Sequence, residues 1–304
     1  MNRFKGIILI ILASASFGCI PLFAKIAYAN GFNPYTFILF RSVFAVIEIF
    51  IFLKLKNIIY KVEKEQYYTL FKASFFGYAL MMLLLFISYN YLATGLATTL
   101  HFIYPVVVMI GSTLIFKEKV DWKKIIALII SITGIYFLIG FGSLNSINFV
   151  GIILALVSGL LYPYYVFKVA YGNIKDLNSF VITFYISLFN AITLLFGSII
   201  TGNFDLEFNY KGLLSTVLVA LICNMMGMVA FQAGLKIISP TTATILSTFE
   251  PITSLIIGVI VLREPLFWHH GVGSILIMIS VIVVAFAEKK NLIGADDTNN
   301  IINS

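Results

Sequence analysis

Glu250 stands directly before Pro251, about midway along the apolar run Thr241 to Glu264, TTATILSTFEPITSLIIGVIVLRE. In a membrane-crossing helix that position falls at the bilayer centre, where an acidic side chain costs roughly 2.5 to 3.5 kcal/mol, so the carboxylate must face a protein interior or a wet cavity. There it can take up and release a proton or hold a substrate group. Pro251 lacks a backbone donor and crowds the carbonyl four residues earlier, which predicts a kink and a freed polar group beside the carboxylate.

Other chemistry-bearing residues lie inside apolar runs of the same kind. Arg41 and Glu48 are seven residues apart, which puts them on one helix face about 10 Å apart along the axis. They could line a route together; each could also bind a neighbouring helix or snorkel. His101 lies one turn before Tyr104 and Pro105, and with Ser247 and Glu250 it would form a proton or substrate site. A single histidine in a packed helix is often only hydrogen-bonded, so a structural role for His101 stays open. Tyr162, Pro163, Tyr164 and Tyr165 predict a proline kink among tyrosines, while Asn224 and Gln232 lie two turns apart on one face. Together these suit an aromatic-walled cavity with a few hydrogen-bonding groups, although tyrosine is also common at membrane interfaces. His269 and His270 are adjacent, point to different helix sides and have no evident third ligand, so no metal centre is expected. No phosphate-binding glycine loop and no cofactor motif is present.

The elements that must hold these residues occur twice. At a constant offset of 146 positions, Ala97, Thr98, Leu100, Pro105, Ile110, Glu118, Trp122 and Ile129 answer Ala243, Thr244, Leu246, Pro251, Ile256, Glu264, Trp268 and Ile275, and Lys117 answers Arg263. Tyr104 stands where the second copy has Glu250, so the copies differ where the chemistry would be. The chain divides into residues 1–146, 147–288 and a polar, disordered tail, 289–304.

With 61% hydrophobic and 11% charged residues over 304 positions, the chain is an all-α integral membrane protein in a lipid bilayer. Ten spans are predicted, at about residues 6–29, 35–53, 72–93, 95–116, 122–141, 149–171, 179–200, 212–235, 241–262 and 271–287. The opening run is too long for a signal peptide and reads as a retained first span. With the N-terminus inside, sixteen Lys and Arg fall on the inner side against Lys25, Lys211 and Arg263 outside, with Arg41 within a span. Both termini are therefore expected in the cytoplasm of a multi-pass cell-membrane protein. Loop topology also accounts for the net charge of +7, so nucleic acid is not an expected partner. Cys19 and Cys223 both fall in spans and read as packing residues.

Five spans per copy is an odd number, so the two copies must have opposite orientations. Inverted repeats with proline-broken helices at the midplane are the architecture of secondary transporters, with a site between repeats that alternates its exposure. The paired segments Ala97 to Glu118 and Ala243 to Glu264 resemble the EamA-type family of the drug/metabolite transporter superfamily. The resemblance rests on Pro105 and Pro251, on Lys117-Glu118 and Arg263-Glu264, and above all on Phe249-Glu250-Pro251. Lys25 and Arg41 resemble the family's first repeat, whereas the second repeat has no basic residue opposite Arg41, near Ile186. The resemblance implies a ten-helix exporter or exchanger of small organic metabolites without naming one. The leading expectation is export of amino acids or similar molecules, with proton coupling through Glu250. Uptake or exchange of a nucleotide-like or nucleoside-derived metabolite is the alternative, and a membrane enzyme or receptor is the reading of another class. A small-molecule substrate and protons are the expected partners, and a homodimer is allowed. Glu118 and Glu264, beside Lys117 and Arg263, read as helix-end anchors.

Overall fold

The computed structural model describes residues 3–92, 94–139, 148–261, 263 and 266–302, with the backbone alone for 94–96, 99, 138, 139 and 288–302. The expected break at Gly142 to Asn148, save its last residue, and the Glu264 anchor lie outside the described residues. Among those described, all regular structure is helical: α1 Arg3–Phe17, α2 Ile20–Tyr28, α3 Pro34–Leu55, α4 Lys64–Ser74, α5 Met81–Ser88, α6 Thr94–His101, α7 Tyr104–Leu114 and α8 Trp122–Ile139 in the first half. The second half holds α9 Phe149–Tyr171, α10 Ser179–Ile200, α11 Tyr210–Val219, α12 Val229–Leu235, α13 Pro240–Leu246, α14 Glu250–Val261 and α15 Trp268–Ile302. Among the described residues, eight stretches are long and apolar enough to cross a membrane. The pair α6 and α7, and α8, occupy the positions predicted for spans four and five.

Asparagine and serine set several of the starts. Asn33 accepts from the Thr36 amide in a capping box ahead of Pro34, and Asn148, Asn178, Asn209 and Ser239 cap α9, α10, α11 and α13. The expected turn Asn30 to Pro34 is therefore where the first two spans part.

Several helices are less regular than the sequence suggested. The first predicted span is broken between α1 and α2, just before Pro21. The third begins at Lys64, one amphipathic stretch earlier than its apolar run, and passes through a π-helical segment, Phe75–Leu80, between α4 and α5. A second π segment, Ala220–Met228, joins α11 to α12. α15 runs helically to Ile302 through the segment expected to be disordered, because a formed helix adds residues at little nucleation cost.

Packing exchanges the two halves. α1 lies on α12 as α9 lies on α5, α14 meets α1 and α2 as α6 and α7 meet α9, and α3 pairs with α10 and α8 with α15. Within the last two pairs the helices run antiparallel: Ser42 bonds Asn190 at one end and Phe52 stacks on Phe180 at the other. Likewise Ser280 donates to the Ala127 carbonyl while His269 reaches Phe137. The two repeat-equivalent basic residues, Lys117 and Arg263, share a left-handed backbone, φ 54° and 56°. That conformation costs an L-residue roughly 1 to 2 kcal/mol, and here it turns the chain sharply beyond α7 and α14.

Candidate functional site

The paired prolines act at helix starts. α6 ends at His101, the chain loosens into i→i−3 bonds at Ile103 and Val106, and Pro105 sits in the first turn of α7. In the other half a short 3₁₀ turn, Ser247–Phe249, separates α13 from α14, and Pro251 follows the first residue of α14. Proline is well tolerated in a first turn, where its missing N–H would have no intrahelical partner. Each predicted kink is thus a break between two helix segments. Pro163 differs, lying within the continuous α9 and leaving the Gly159 carbonyl without its helical donor. We expect Pro105→Ala and Pro251→Ala to slow flux several-fold while leaving expression near wild type. Wild-type flux in both would show that the breaks serve packing alone.

At these breaks polar side chains from both halves converge. His101 Nδ1 lies 2.9 Å from Ser158 Oγ, and the His101 ring packs 5.4 Å from Tyr104 and 6.3 Å from Tyr162. Tyr104 meets Tyr162 edge to face at 4.9 Å and also faces Ser247. Tyr162 continues to Tyr165 and Phe231. The Tyr165 hydroxyl accepts from Gln232 Nε2 at 2.9 Å, and Gln232 Oε1 accepts from Thr183 at 3.1 Å. Buried hydroxyls on the broken helix are satisfied locally: Thr244 donates to Pro240, Ser247 to Ala243 and Thr248 to Ile245 carbonyls. These three hydroxyls are thereby carried through an apolar layer without orphaned donors.

Arg41, 1% exposed, anchors the other side of the cluster. Its Nε donates to Asn224 Oδ1 at 2.6 Å and its Nη2 to the Tyr78 hydroxyl at 3.0 Å. Both partners belong to π-helical segments, a distortion that frequently marks functional sites. They are also repeat equivalents, because Tyr78 and Asn224 stand at the same 146-residue offset as the two prolines. Glu250 lies within electrostatic reach of Arg41, Tyr78, Tyr104 and Tyr162, and of Tyr89 and Cys223. No hydrogen bond or ion pair joins Glu250 to Arg41 among the described residues.

The structure therefore brings together Arg41, His101, Tyr104, Tyr162, Asn224, Gln232, Ser247 and Glu250. Glu48 stays apart: it is half-buried two turns further along α3, with Oε2 buried and unpartnered. The axial rise between the two residues separates them, whatever face they share. Tyr78, Thr183 and Ser158 were not anticipated. Applying the repeat offset to Asn224 would have found Tyr78.

Glu118 does more than anchor a helix end. The left-handed Lys117 turns it back over α7, where the Glu118 amide donates to the Ser112 carbonyl. Its carboxylate pairs with Lys124 at 3.5 Å and accepts from Thr241 at 3.0 Å and Tyr171 at 3.4 Å, while Lys124 also reaches Ser239 at 3.1 Å. Two residues of the first half are tied to three of the second.

A multi-pass helical membrane protein built from two repeats, with a buried polar cluster where their broken helices meet, is the class these features define. The EamA-like transporter family matches residues 4–140 and 149–286, one match in each half, and the chain belongs to that family. It is a membrane transporter. The chain is 23% identical over 227 residues to an uncharacterized transporter of Archaeoglobus fulgidus, covering 70% of this chain and 76% of that one. It is 25% identical over 175 residues to an uncharacterized transporter of Helicobacter pylori, covering 58% and 56% respectively. A solved crystal structure superposes with a TM-score of 0.82 over 94% of this chain and 99% of the other at 11% identity, which speaks to the fold alone.

Proposed function

We propose that the chain is a secondary exporter of amino acids or similar small organic metabolites, working by alternating access and coupled to protons through Glu250. In this reading ten spans form two inverted five-helix repeats in the cell membrane, with both termini cytoplasmic. The antiparallel course of the equivalent pairs α3 with α10 and α8 with α15 supports inversion, and the Lys and Arg asymmetry of the loops supports the orientation.

The observation that carries the reading is Glu250: a carboxylate at the break of a membrane-spanning helix, near a buried guanidinium yet not paired with it, and ringed by phenols. A carboxylate locked in an ion pair would stay ionised through the cycle; one without that lock can alternate between charged and neutral forms as access alternates. Full-length protein in proteoliposomes, supplied with radiolabelled amino acids, tests this. Wild type should show counterflow and also flux driven by a pH gradient. Glu250→Gln should keep counterflow and lose the gradient-driven component. Unchanged gradient-driven flux in Glu250→Gln would remove the proton role, and absence of flux for the whole panel would reject the substrate class.

A further inference from the structure

Arg41 has more donor capacity than its neighbours use. Its Nε and Nη2 are taken by Asn224 and Tyr78, while Nη1 is buried without any partner. Asn224, 0% exposed, gives its oxygen to Arg41 and leaves Nδ2 buried and unpartnered as well. Two unused donors on mutually bonded side chains are costly in an apolar interior, because each leaves a desolvation penalty uncompensated. The engaged Nε and Nη2 edge fixes the guanidinium plane, so the free Nη1 is held in place ahead of any ligand. The arrangement lacks an acceptor.

We propose that Arg41 Nη1 forms the carboxylate subsite of the transported molecule, with Asn224 Nδ2 donating to a second acceptor around it and the aromatic wall of Tyr104, Tyr162 and Phe231 taking the remainder. This rests on the transport reading above and adds the chemical group that is recognised and the residues that read it. A carboxylate oxygen accepting from Nη1 makes a charge-assisted hydrogen bond with both partners ionised, roughly twice as strong as a neutral one, which an amide or an amine in its place does not make. The charge balance disfavours a phosphate dianion: the one guanidinium, Arg41, matches a single negative charge, so a substrate carboxylate is balanced when the nearby Glu250 is protonated, whereas a dianion is in excess in either state. The second repeat has Ser187 at the position equivalent to Arg41, so the subsite exists once and gives the cavity a polarity that its repeated frame lacks.

The test uses purified full-length protein and matched probes: L-phenylalanine, L-phenylalaninamide, 3-phenylpropionate, phenethylamine and inorganic phosphate, each titrated by thermal shift and each tried as a competitor of counterflow. L-Phenylalanine and 3-phenylpropionate should bind, and the amide and the amine should bind at least about tenfold more weakly, the loss expected for charge-assisted hydrogen bonds. Asn224→Asp, which keeps an acceptor for Arg41 Nε but places an anion in the subsite, should abolish that preference for the carboxylates. Arg41→Lys should weaken carboxylate binding by a similar factor. The same affinity for acid and amide, binding of phosphate without either carboxylate, no binding by any carboxylate probe, or an unaltered preference in Asn224→Asp would each overturn the assignment. Carboxylate binding that responds to Asn224→Asp without any flux in liposomes would keep the subsite and reject transport instead.

Discussion

Glu118→Ala should open the end of the molecule that Glu118 holds, shifting the equilibrium between closed and open forms there by more than about a hundredfold. The carboxylate sits between Lys124, Thr241 and Tyr171, and both members of the ion pair are at least nine-tenths buried. Removing the carboxylate takes the counter-charge at 3.5 Å from the buried Lys124, which keeps Ser239; the loss of one member of a buried pair costs up to roughly 3 to 5 kcal/mol. Opening lets Lys124 reach water, so that cost falls on the closed form alone. Because the network joins α7 and α8 of one half to α9 and α13 of the other, the closed form is the one weakened. Ser247→Cys in a cysteine-free background reports this, since Ser247 is 4% exposed beside the cluster. A membrane-impermeant thiol reagent applied on the side proposed to be cytoplasmic should label it slowly in the parent and at least tenfold faster with Glu118→Ala. Equal labelling rates would mean that the network is not a latch.

Gly77→Val should cost most of the folded protein, and even Gly77→Ala should lower thermal stability measurably. A Cβ at Gly77 would lie 2.6 Å from the Tyr165 backbone nitrogen and 2.7 Å from its Cβ, so neither neighbour can yield by rotating a side chain. The helix carrying Tyr78 would have to move off α9, at the roughly 1 to 3 kcal/mol typical of overpacking. Tyr78 would then lose Arg41, and Tyr165 its place beside Gln232. Gly197 in α10 supplies the control: nothing lies within 4 Å of a Cβ there, so Gly197→Ala should be neutral, or stabilising by up to about 1 kcal/mol through helix propensity. Melting curves of the purified variants decide the matter. Equal behaviour of the two alanine substitutions would show that the approach at Gly77 is not tight.

The large features were legible because hydrophobicity and duplication leave plain marks. Apolar runs placed the helices, and the offset between Pro105 and Pro251 located both breaks before any coordinates. What stayed hidden depends on backbone irregularity. A π segment has no composition of its own, so Phe75–Leu80 and Ala220–Met228 read as ordinary helix and Tyr78 as one apolar-run tyrosine among several. The helical wheel put Glu48 with Arg41 because it gives facing but not which neighbour lies at each depth. Glu118 was read as an end anchor because an αL residue before it cannot be inferred from Lys117, a residue with no preference for that conformation.

The two π segments also say how such a polar cluster can be recut. Each adds residues to a turn, so everything beyond it along the helix is rotated relative to an uninterrupted one, by about 100° for one residue. A substitution in the wall changes one contact, whereas deleting a single residue from Phe75–Leu80 or Ala220–Met228 would change which side of a whole helix faces the centre. The register of these stretches is thus a coarse selector of which side chains enter the polar cluster, and single substitutions are its fine adjustment.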